Sequence, residues 1–373
     1  MKVKLEELVE EVSERTTVNN QYPVLTSSRS GIYLQEEYFK KQVASKDNTG
    51  YRIIRKGEFT YRAMSDTGEF YPNKLECTDI GIVSPAYPVF KIKDNRILPD
   101  YLKYYFKSRL FQKSITAFVQ GSTRASMKFG KMKLISIDLP DKDKQNQILN
   151  TIGILKGIID KYELEIDHLN NLIKARFVEM FGNNKYETRI IKDVLCESFW
   201  LMPATPKYID EGIPYITSKN IKNRILDLDD TKFISENDYV KISKNRPIKP
   251  GDILISMIGT LGQIAVVSKN KRFYGQNVYL LRVNNDIIST SFFCEFFNSD
   301  DVQNKLAGKS NQSTQAYLKA NHVEDLLIPV PPIVIQNDFA AFAAQVDKSK
   351  FAVQKSLEKT QLLFDSLMQE YFG

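Results

Sequence analysis

The stretch NLIKARFVEMFG (residues 171–182) lies in mid-chain, and the chain reaches residue 373 through the similar stretch QLLFDSLMQEYFG (residues 361–373). When the sequence is aligned with itself at an offset of 191 residues, Phe181-Gly182 coincides with Phe372-Gly373. At the same offset Gln145-Asn146 meets Gln336-Asn337, and STRASMK (Ser122–Lys128) meets STQAYLK (Ser313–Lys319). Similarity that recurs at one fixed spacing indicates two related halves in tandem.

Each half ends in a stretch with the spacing of a long helix. Apolar residues follow alternating steps of four and three, which is the pattern of a helix that packs lengthwise on another helix. The predicted coiled-coil residues are Ile152, Leu155, Ile159, Tyr162, Ile166, Leu169 and Ile173 in the first half, and Val346, Val353, Leu357, Phe364 and Leu367 in the second. Arg176, Lys350 and Thr360 interrupt the two patterns. We expect helices over residues 142–182 and 334–373.

The connectivity predicts how the two helices pair. The segment NNKYET after Gly182 extends no more than about 20 Å, so the second half should begin near the end of the first helix. The second helix then runs back, and the two helices form an antiparallel coiled coil within one chain. A coiled coil between two copies of the chain is the alternative.

The remaining residues predict two globular domains of mixed character, at 1–141 and 183–333. Short strand-like runs alternate with turn signals, including Pro250-Gly251-Asp252 and the hairpin-like Gly259-Thr-Leu-Gly262. Each half also has one amphipathic helical stretch, starting at Asp100 and at Ser291. The expected fold class is therefore α/β (mixed α+β), with two tandem globular domains separated by the two long helices.

The composition narrows the class of protein. A chain of 373 residues with 42% hydrophobic residues is long enough for two or three folded domains. Nothing in it is typical of a signal peptide or a membrane span. Cys77, Cys196 and Cys294 are far apart, and we expect them to be buried free thiols. The net charge of +7 is concentrated in the first 140 residues, where the basic segment from Lys91 to Lys133 favours a polyanionic partner or forms a solvated face.

The sequence contains little that indicates catalysis. The only histidines, His168 and His322, have no cluster of metal-ligating residues around them. No phosphate-binding loop of the form GxxxxGK[ST], no GxGxxG after a strand and no Asn-Pro-Pro-aromatic motif is present. A nuclease site from Asp100, Asp230 and Lys232 is arithmetically possible but not specific. The chain does not resemble an enzyme, and we expect no catalytic residue, metal site or cofactor of its own.

Three pairs of polar loops occupy matching places in the two halves: 26–31 with 217–224, 61–66 with 256–263, and 121–128 with 309–319. Their side chains are of the types that bind base edges and phosphates, although such residues are also common in any surface loop. The candidate DNA-binding residues are Ser27, Ser28, Arg29, Arg62, Ser122, Arg124 and Lys128 in the first half, and Ser218, Lys219, Asn220, Lys222, Arg224, Thr260, Gln263, Asn311, Gln312, Gln315 and Lys319 in the second.

In the order and duplication of these features the sequence resembles the specificity subunit of type I restriction–modification systems. The resemblance covers the whole chain. It includes Gly251-Asp252, Gly259-Thr-Leu-Gly262 and the segment IPVPP (residues 328–332), which leads from the second domain into its long helix and is followed by Gln336-Asn337. The first half departs from the pattern, since it has Lys56-Gly57-Glu58 and lacks the Gly-x-x-Gly turn.

The resemblance implies a bacterial, cytoplasmic, DNA-binding subunit without catalysis. Each target-recognition domain would bind one half of an interrupted, asymmetric site in double-stranded DNA. The coiled coil would hold two methyltransferase subunits, with restriction subunits in the full complex. S-adenosylmethionine, ATP and Mg²⁺ would belong to those partners. Two other classes stay open: a coiled-coil interaction scaffold that binds no DNA, and a nuclease or methyltransferase fragment.

Overall fold

A computed structural model describes residues 1–39, 46–119, 125–182, 186–222, 224–268, 272–309 and 317–373. The chain divides into two units. Unit 1 consists of Met1–Glu163 and Lys355–Gly373, and unit 2 consists of Leu164–Gln354. Each unit therefore contains one globular half together with a part of each long helix, and the unit boundaries pass through the helices.

The elements of the first half are short strands with a few helices. The strands are β1 (Lys2–Lys4), β2 (Val9–Val12), β3 (Leu25–Ser27), β4 (Ile32–Leu34), β5 (Arg52–Arg55), β6 (Phe59–Thr60), β7 (Met64–Ser65), β8 (Asn73–Lys74), β9 (Ile80–Val83), β10 (Val89–Ile92), β11 (Ala125–Ser126) and β12 (Ser136–Asp138). The helices are α1 (Leu5–Leu8), α2 (Gln35–Tyr38), α3 (Pro99–Lys107), α4 (Arg109–Ile115), α5 (Phe129–Met132) and the long α6 (Lys142–Phe181).

The second half has a similar succession of elements. The strands are β13 (Thr188–Ile190), β14 (Leu195–Leu201), β15 (Tyr208–Ile209), β16 (Ile213–Ile216), β17 (Ile221–Lys222), β18 (Ile225–Leu226), β19 (Lys232–Ile234), β20 (Ile253–Ser256), β21 (Ile264–Val266), β22 (Tyr274–Gly275), β23 (Val278–Val283) and β24 (Leu327–Pro329). The helices are α7 (Glu236–Ser243), α8 (Thr290–Phe297), α9 (Asp300–Lys309), α10 (Ala320–Glu324) and the long α11 (Ile333–Phe372).

The duplication expected from the sequence is visible in the strand pairing. Unit 1 has a four-stranded sheet in the order β2-β10-β6-β8, and unit 2 has one in the order β14-β23-β20-β21. In each half the first strand pairs with the strand that precedes the long helix, as β1 with β12 and as β13 with β24. The predicted fold class, a mixed α+β chain with two long helices, is confirmed.

Large aromatic side chains fill the two cores. In unit 1 the rings of Phe59 and Phe90 stack with their centroids 5.4 Å apart, and Phe106 packs edge-on against Phe90 at 5.9 Å. In unit 2 the fully buried Phe292 and Phe293 of α8 lie against the sheet. Burial of one such side chain contributes about 1.5–3 kcal/mol, so each core stabilises its own sheet and helices.

The two amphipathic stretches do not form single helices as predicted. The first is broken at Ser108, whose Oγ accepts a hydrogen bond from the backbone N–H of Phe111 at 3.1 Å and caps α4. The second is broken after Phe297, where the Asn298 and Ser299 side chains donate to the carbonyls of Cys294 and Phe296. Serine and asparagine compete in this way with the helical hydrogen bonds, and this ends α3 and α8 early.

The long helices α6 and α11 have 40 residues each, which corresponds to about 60 Å of helix. Within unit 2 the rings of Phe181 and Phe339 are 5.6 Å apart, and Lys350 Nζ donates to Asn170 Oδ1 at 3.2 Å. Residue numbers therefore fall along one helix as they rise along the other. The two helices pack antiparallel within one chain, so the alternative of pairing only between two copies is unnecessary.

The predicted seam lies on the protected side of each helix. Ile152, Leu155, Ile159, Ile173 and Val346 are buried, and the other predicted seam residues are half-buried. Two of the interrupting residues have local explanations: the guanidinium of Arg176 lies 5.8 Å from the Phe342 ring centroid, and Lys350 pairs with Asp347 at 2.8 Å.

The similar ends of the two helices make equivalent contacts. At the end of α6, the Phe181 ring packs on Phe292 with a centroid distance of 4.6 Å. At the end of α11, the Phe372 ring packs on Tyr101 at 5.0 Å. Tyr101 and Phe292 lie at the third position of α3 and of α8, and are themselves 191 positions apart. Residues 171–182 resemble residues 361–373 because the ends of α6 and α11 pack against equivalent positions of the two halves.

The expectation that all three cysteines are buried is wrong for Cys77 and Cys196, which are exposed. Cys294 is buried. Burial raises the pKa of the Cys294 thiol to about 12. In the part of the chain that the structure describes, no helix is both long and apolar enough to cross a membrane.

Candidate nucleic-acid interface

In unit 1 the described part of the third polar loop, residues 125–128, is hydrogen-bonded to the second polar loop. Strand β7 in the second loop pairs with β11 in the third, with Ser65 opposite Ala125. The backbone N–H of Met127 donates to the carbonyl of Ala63 at 3.0 Å, and the buried Tyr61 hydroxyl donates to the Met127 carbonyl at 3.1 Å. Burial raises the pKa of Tyr61, and its hydrogen bond adds a side-chain link between the two loops.

Unit 2 joins the corresponding loops by an equivalent hydrogen bond. The backbone N–H of Leu318 donates to the Met257 carbonyl at 2.8 Å, and Ile258 forms an antiparallel bridge with Tyr317. Leu318 is 191 residues beyond Met127, the donor in unit 1. The two halves therefore bring the second and third loops together in the same way.

The Gly259–Gly262 segment is a hairpin turn, as predicted, because it connects the antiparallel strands β20 and β21. Gly259 and Gly262 have φ angles of +80° and +72°, a region that L-residues with a Cβ rarely occupy. The backbone N–H of Gln263 donates to Ser256 Oγ at 3.0 Å and closes the turn. Thr260 is thereby held exposed near the tip.

The first loop of unit 1 lies beside the segment that follows the second loop. Arg29 is exposed, and its guanidinium lies 5.3 Å from the Tyr71 ring centroid and 3.7 Å from Glu69. Burial, together with the adjacent Glu69, raises the pKa of Tyr71 to about 12. Glu69 and Tyr71 thus orient Arg29, a role that the sequence reasoning missed because it ended the second loop at Asp66.

The structure places Ser27 inside the domain. Its side chain is 6% exposed, and its Oγ accepts a hydrogen bond from Asn73 Nδ2 at 3.1 Å. Asn73 also donates to the Ser28 carbonyl at 2.8 Å, which fixes the start of the loop. Ser27 therefore supports the loop and is not available to DNA.

The first loop of unit 2 likewise contains two candidates with internal partners. Asn220 is 6% exposed, accepts from the backbone N–H of Thr217 at 2.9 Å and donates to the Asp230 carbonyl at 3.0 Å. The Arg224 guanidinium binds both carboxylate oxygens of the buried Glu295. Both side chains have partners within the domain, although the Arg224 side chain stays 38% exposed. Lys219 and Lys222 are exposed as well.

The other candidates divide into surface residues and residues outside the described ranges. Arg29, Arg62, Lys128, Lys219, Lys222, Thr260 and Lys319 are exposed, and Ser28, Ser218 and Gln263 are half-buried. Ser122, Arg124, Asn311, Gln312 and Gln315 lie outside the described residues. A contact of any of these side chains with DNA stays a prediction.

Three of the eleven basic residues in the segment Lys91–Lys133 form ion pairs with nearby carboxylates. Lys91 pairs with Glu10 at 3.2 Å, Arg96 with Asp94 at 2.8 Å, and Lys103 with Glu76 at 2.6 Å. The charge excess read from the sequence therefore overstates the field available to a polyanion. Among the described residues of this segment, Lys128 is the exposed cation that lies nearest to β11 in sequence.

Unit 1 also contains a cleft of about 1100 Å³ between the first loop, α3, the middle of α6 and the end of α11. Lys107 on its wall donates to the Ser30 carbonyl at 3.3 Å, and burial together with the nearby Lys103 and Lys156 lowers the Lys107 pKa. The carboxylates of Asp160, Glu163 and Asp365 line the same cleft, so its charge selects neither an anion nor a cation.

Two of the residues considered for a nuclease have partners within their own unit. Asp100 pairs with Lys74 in unit 1, whereas Lys232 lies over the Tyr208 ring in unit 2 at 4.2 Å. Among the described residues no group of three or more histidine, cysteine, aspartate or glutamate side chains could hold a metal ion.

Comparison with known proteins places these features in a family. The model of the type I restriction modification DNA specificity domain matches residues 2–175 and again residues 183–362. A curated relative from Methanocaldococcus jannaschii, described as a putative type I restriction enzyme MjaX specificity subunit, is 24% identical over 196 residues. That alignment covers 50% of this chain and 45% of the relative, so the chain spans less than half of the relative's length.

Two solved structures have a similar fold along the whole chain. The type I restriction–modification S subunit from M. genitalium is 14% identical, with a TM-score of 0.55 and coverage of 100% of this chain and 96% of its own. A chain from a study of complex assembly and conformational transition of the type I R-M system is 16% identical, with a TM-score of 0.57 and coverage of 100% and 97%. At these identities the similarity concerns the fold.

Proposed function

Because this chain belongs to the family of type I restriction modification DNA specificity proteins, we propose that it is the sequence-specific DNA-binding subunit of such a complex. Each globular half would bind one half of an interrupted, asymmetric site. The observation that carries this proposal is the repeated joining of the second and third loops, by Met127 to Ala63 and by Leu318 to Met257. The same backbone arrangement occurs in both halves and carries different side chains at its surface.

The duplication suggests which contacts are specific. Lys128 and Lys319 occupy the same position of the repeat, are both exposed, and each immediately precedes a short helix. A cation kept in both halves suits phosphate, which carries no sequence information. Arg29 and Arg62 in one half and Lys219 and Thr260 in the other differ between the halves and are candidates for base contacts, as side chains that read sequence must differ.

The long helices would hold methyltransferase subunits. On α11, Phe351 and Leu362 are about 70% exposed and lie eleven residues, or about three turns, apart on one face. On α6, Ile154 and Leu172 are exposed and lie eighteen residues, or about five turns, apart. Exposed apolar residues in such rows suit partner helices. Catalysis would belong to the partners, which would bind S-adenosylmethionine, and in the full complex ATP and Mg²⁺.

The experiment measures DNA binding by the complex of this chain with its methyltransferase subunits. Alanine at Lys128 or Lys319 should weaken binding to all duplexes and lower the slope of log K against log salt by about 0.9 per lost phosphate contact. Alanine at Arg62 should instead cost about 1–3 kcal/mol for one base pair of one half-site only. Lys131→Ala and Lys241→Ala, at exposed lysines of α5 and α7, are the matched controls.

Two outcomes would contradict the proposal. If the loop variants bind and methylate DNA as the controls do, the joined loops are not the reading surface. If the chain assembles with methyltransferase subunits and the complex retains no DNA at moderate salt, the interaction scaffold is the better description.

A further inference from the structure

Each long helix has one fully buried glutamine in its first turns. Gln145 and Gln336 are both 0% exposed, although the neighbouring Gln147 and Asn337 are exposed. A buried amide is costly unless its oxygen accepts and both of its N–H groups donate. Both glutamines meet this condition with backbone partners alone.

The hydrogen bonds of Gln145 tie three segments of unit 1 together. Its Oε1 accepts from the backbone N–H of Leu98 at 2.8 Å. Its Nε2 donates to the carbonyls of Arg96 at 2.8 Å and Pro140 at 2.9 Å. Leu98 immediately precedes α3, and Pro140 lies between β12 and α6. The side chain thus joins the start of the long helix α6 to the start of α3.

Gln336 makes the same three bonds in unit 2. Its Oε1 accepts from the backbone N–H of Ser289 at 2.8 Å, and its Nε2 donates to the carbonyls of Ile287 at 2.9 Å and Pro331 at 2.7 Å. Each of these partners is 191 residues beyond its counterpart in unit 1. Other contacts at this offset differ: Lys103 and Lys107 of α3 correspond to Cys294 and Asn298. The three hydrogen bonds that each glutamine makes, here called the glutamine clamp, are therefore the same in both halves, although surrounding side chains differ.

The glutamine clamp lies at the start of the long helix, where a small rotation of the helix relative to its domain moves the far end of the helix by a large distance. Between β12 and α6 only Leu139, Pro140 and Asp141 connect the domain to the helix. A rotation of about 5° at the start of a 40-residue helix displaces its far end by about 5 Å. Successive bases of B-DNA are about 3.4 Å apart, so that displacement exceeds one base-pair step.

We propose that Gln145 and Gln336 are positioning residues that set the angle at which each long helix leaves its recognition domain. This angle fixes the number of unspecified base pairs accepted between the two half-sites. The inference rests on the proposed function. Neither glutamine touches DNA, because both are buried. Each acts through the backbone immediately before α3 or α8 and through the carbonyl of the proline that precedes its own helix.

The test compares Gln145→Leu and Gln336→Leu with Gln147→Leu, an exposed glutamine of the same helix. Each chain is produced with its methyltransferase subunits and given a plasmid library in which the gap between the wild-type half-sites varies one base pair at a time. We expect wild type and Gln147→Leu to methylate one gap length. The buried-site variants should methylate neighbouring gaps about tenfold better, relative to the original gap, with unchanged half-sites.

The outcomes separate a positioning role from a purely structural one. A general loss of methylation with an unchanged ratio between gap lengths would overturn the inference. Because the readout is a ratio, a partly unfolded variant still tests it. Should the leucine variants yield no folded protein, Gln145→Asn and Gln336→Asn keep the amide with a shorter reach, and an unchanged gap ratio in them overturns the inference equally. If wild type methylates no interrupted site, the proposed function itself fails.

Discussion

Replacing Asp252 with asparagine should destabilise unit 2 by an amount that the structure allows to be worked out. Asp252 is 1% exposed. Its carboxylate accepts from Arg282 Nε at 2.7 Å, from Arg282 Nη2 at 2.8 Å and from the backbone N–H of Lys249 at 2.7 Å. Asparagine has nearly the same volume, but it removes the negative charge and turns an N–H₂ group towards these donors.

The expected cost is about 3 kcal/mol. Removal of one partner from a buried ion pair typically costs about 3–5 kcal/mol. The lower end applies here, because Arg282 is 16% exposed and keeps its contact with Glu197. For a unit of this size, each kcal/mol shifts the melting temperature by about 2–4 °C, so the midpoint should fall by about 6–12 °C.

Trp200 makes the measurement specific to unit 2. It is the single tryptophan of the sequence, lies in β14, and pairs with Tyr279 of β23, the strand that also carries Arg282. Its fluorescence should therefore follow the unfolding of this sheet. Asp286→Asn, the same charge change at an exposed residue, is the matched control and should shift the midpoint by less than 2 °C. If Asp252→Asn shifts the Trp200 transition no more than the control does, the buried ion pair does not stabilise the sheet.

Three further changes test other parts of the structure. Gly262→Ala should cost about 1–2 kcal/mol, because φ is +72° and a Cβ would lie 3.0 Å from the Gln303 side chain; a Trp200 midpoint equal to wild type would contradict this. Burial opposes ionisation of Glu324, but hydrogen bonds from Ser198 and Tyr279 lower its pKa below 4.5. Its stabilising contribution is therefore full above pH 4.5 and lost as the pH falls through the lowered pKa. Glu324→Gln should consequently reduce the midpoint at pH 7 and differ little from wild type near pH 3, and a pH-independent difference would refute the assignment. Phe351→Glu should leave the Trp200 midpoint unchanged while weakening co-purification with methyltransferase subunits, and unchanged assembly would exclude this face of α11 from docking.

The duplication and the long helices could be predicted because they depend on periodic patterns in the sequence. A seam of apolar residues at steps of three and four fixes which side of α6 is covered, and Ile152, Leu155 and Ile159 are buried accordingly. The antiparallel direction followed from the short connection after Gly182. Both arguments need only the order of residues along the chain.

The fate of individual polar side chains could not be predicted in this way. Asn220 and Lys219 are adjacent in one polar loop, yet the first is buried and the second is exposed. The difference depends on Asp230, whose carbonyl accepts from Asn220, and such a partner cannot be identified from composition. The sequence likewise did not indicate that the buried Glu295, 71 residues later, binds the guanidinium of Arg224.

The breaks that separate α3 from α4 and α8 from α9 could not be predicted from the spacing of apolar residues either. Apolar spacing continues across Ser108, so periodicity alone predicts one helix from Asp100. The break arises because the Ser108 hydroxyl caps α4, a local hydrogen bond that competes with continuation of α3. Serine occurs at many helical positions without this effect, and the sequence does not distinguish the two cases.

Methylation mapping of a domain exchange tests the central claim most directly. Genomic methylation is mapped in cells that carry either the native chain or a chain in which residues 1–140 are replaced by the corresponding domain of a relative, each with the native methyltransferase subunits. The account predicts an interrupted, asymmetric site for the native chain, and for the exchange a site in which one half changes while the other half and the gap are retained. A site in which both halves change together would contradict the claim that the two domains read DNA independently.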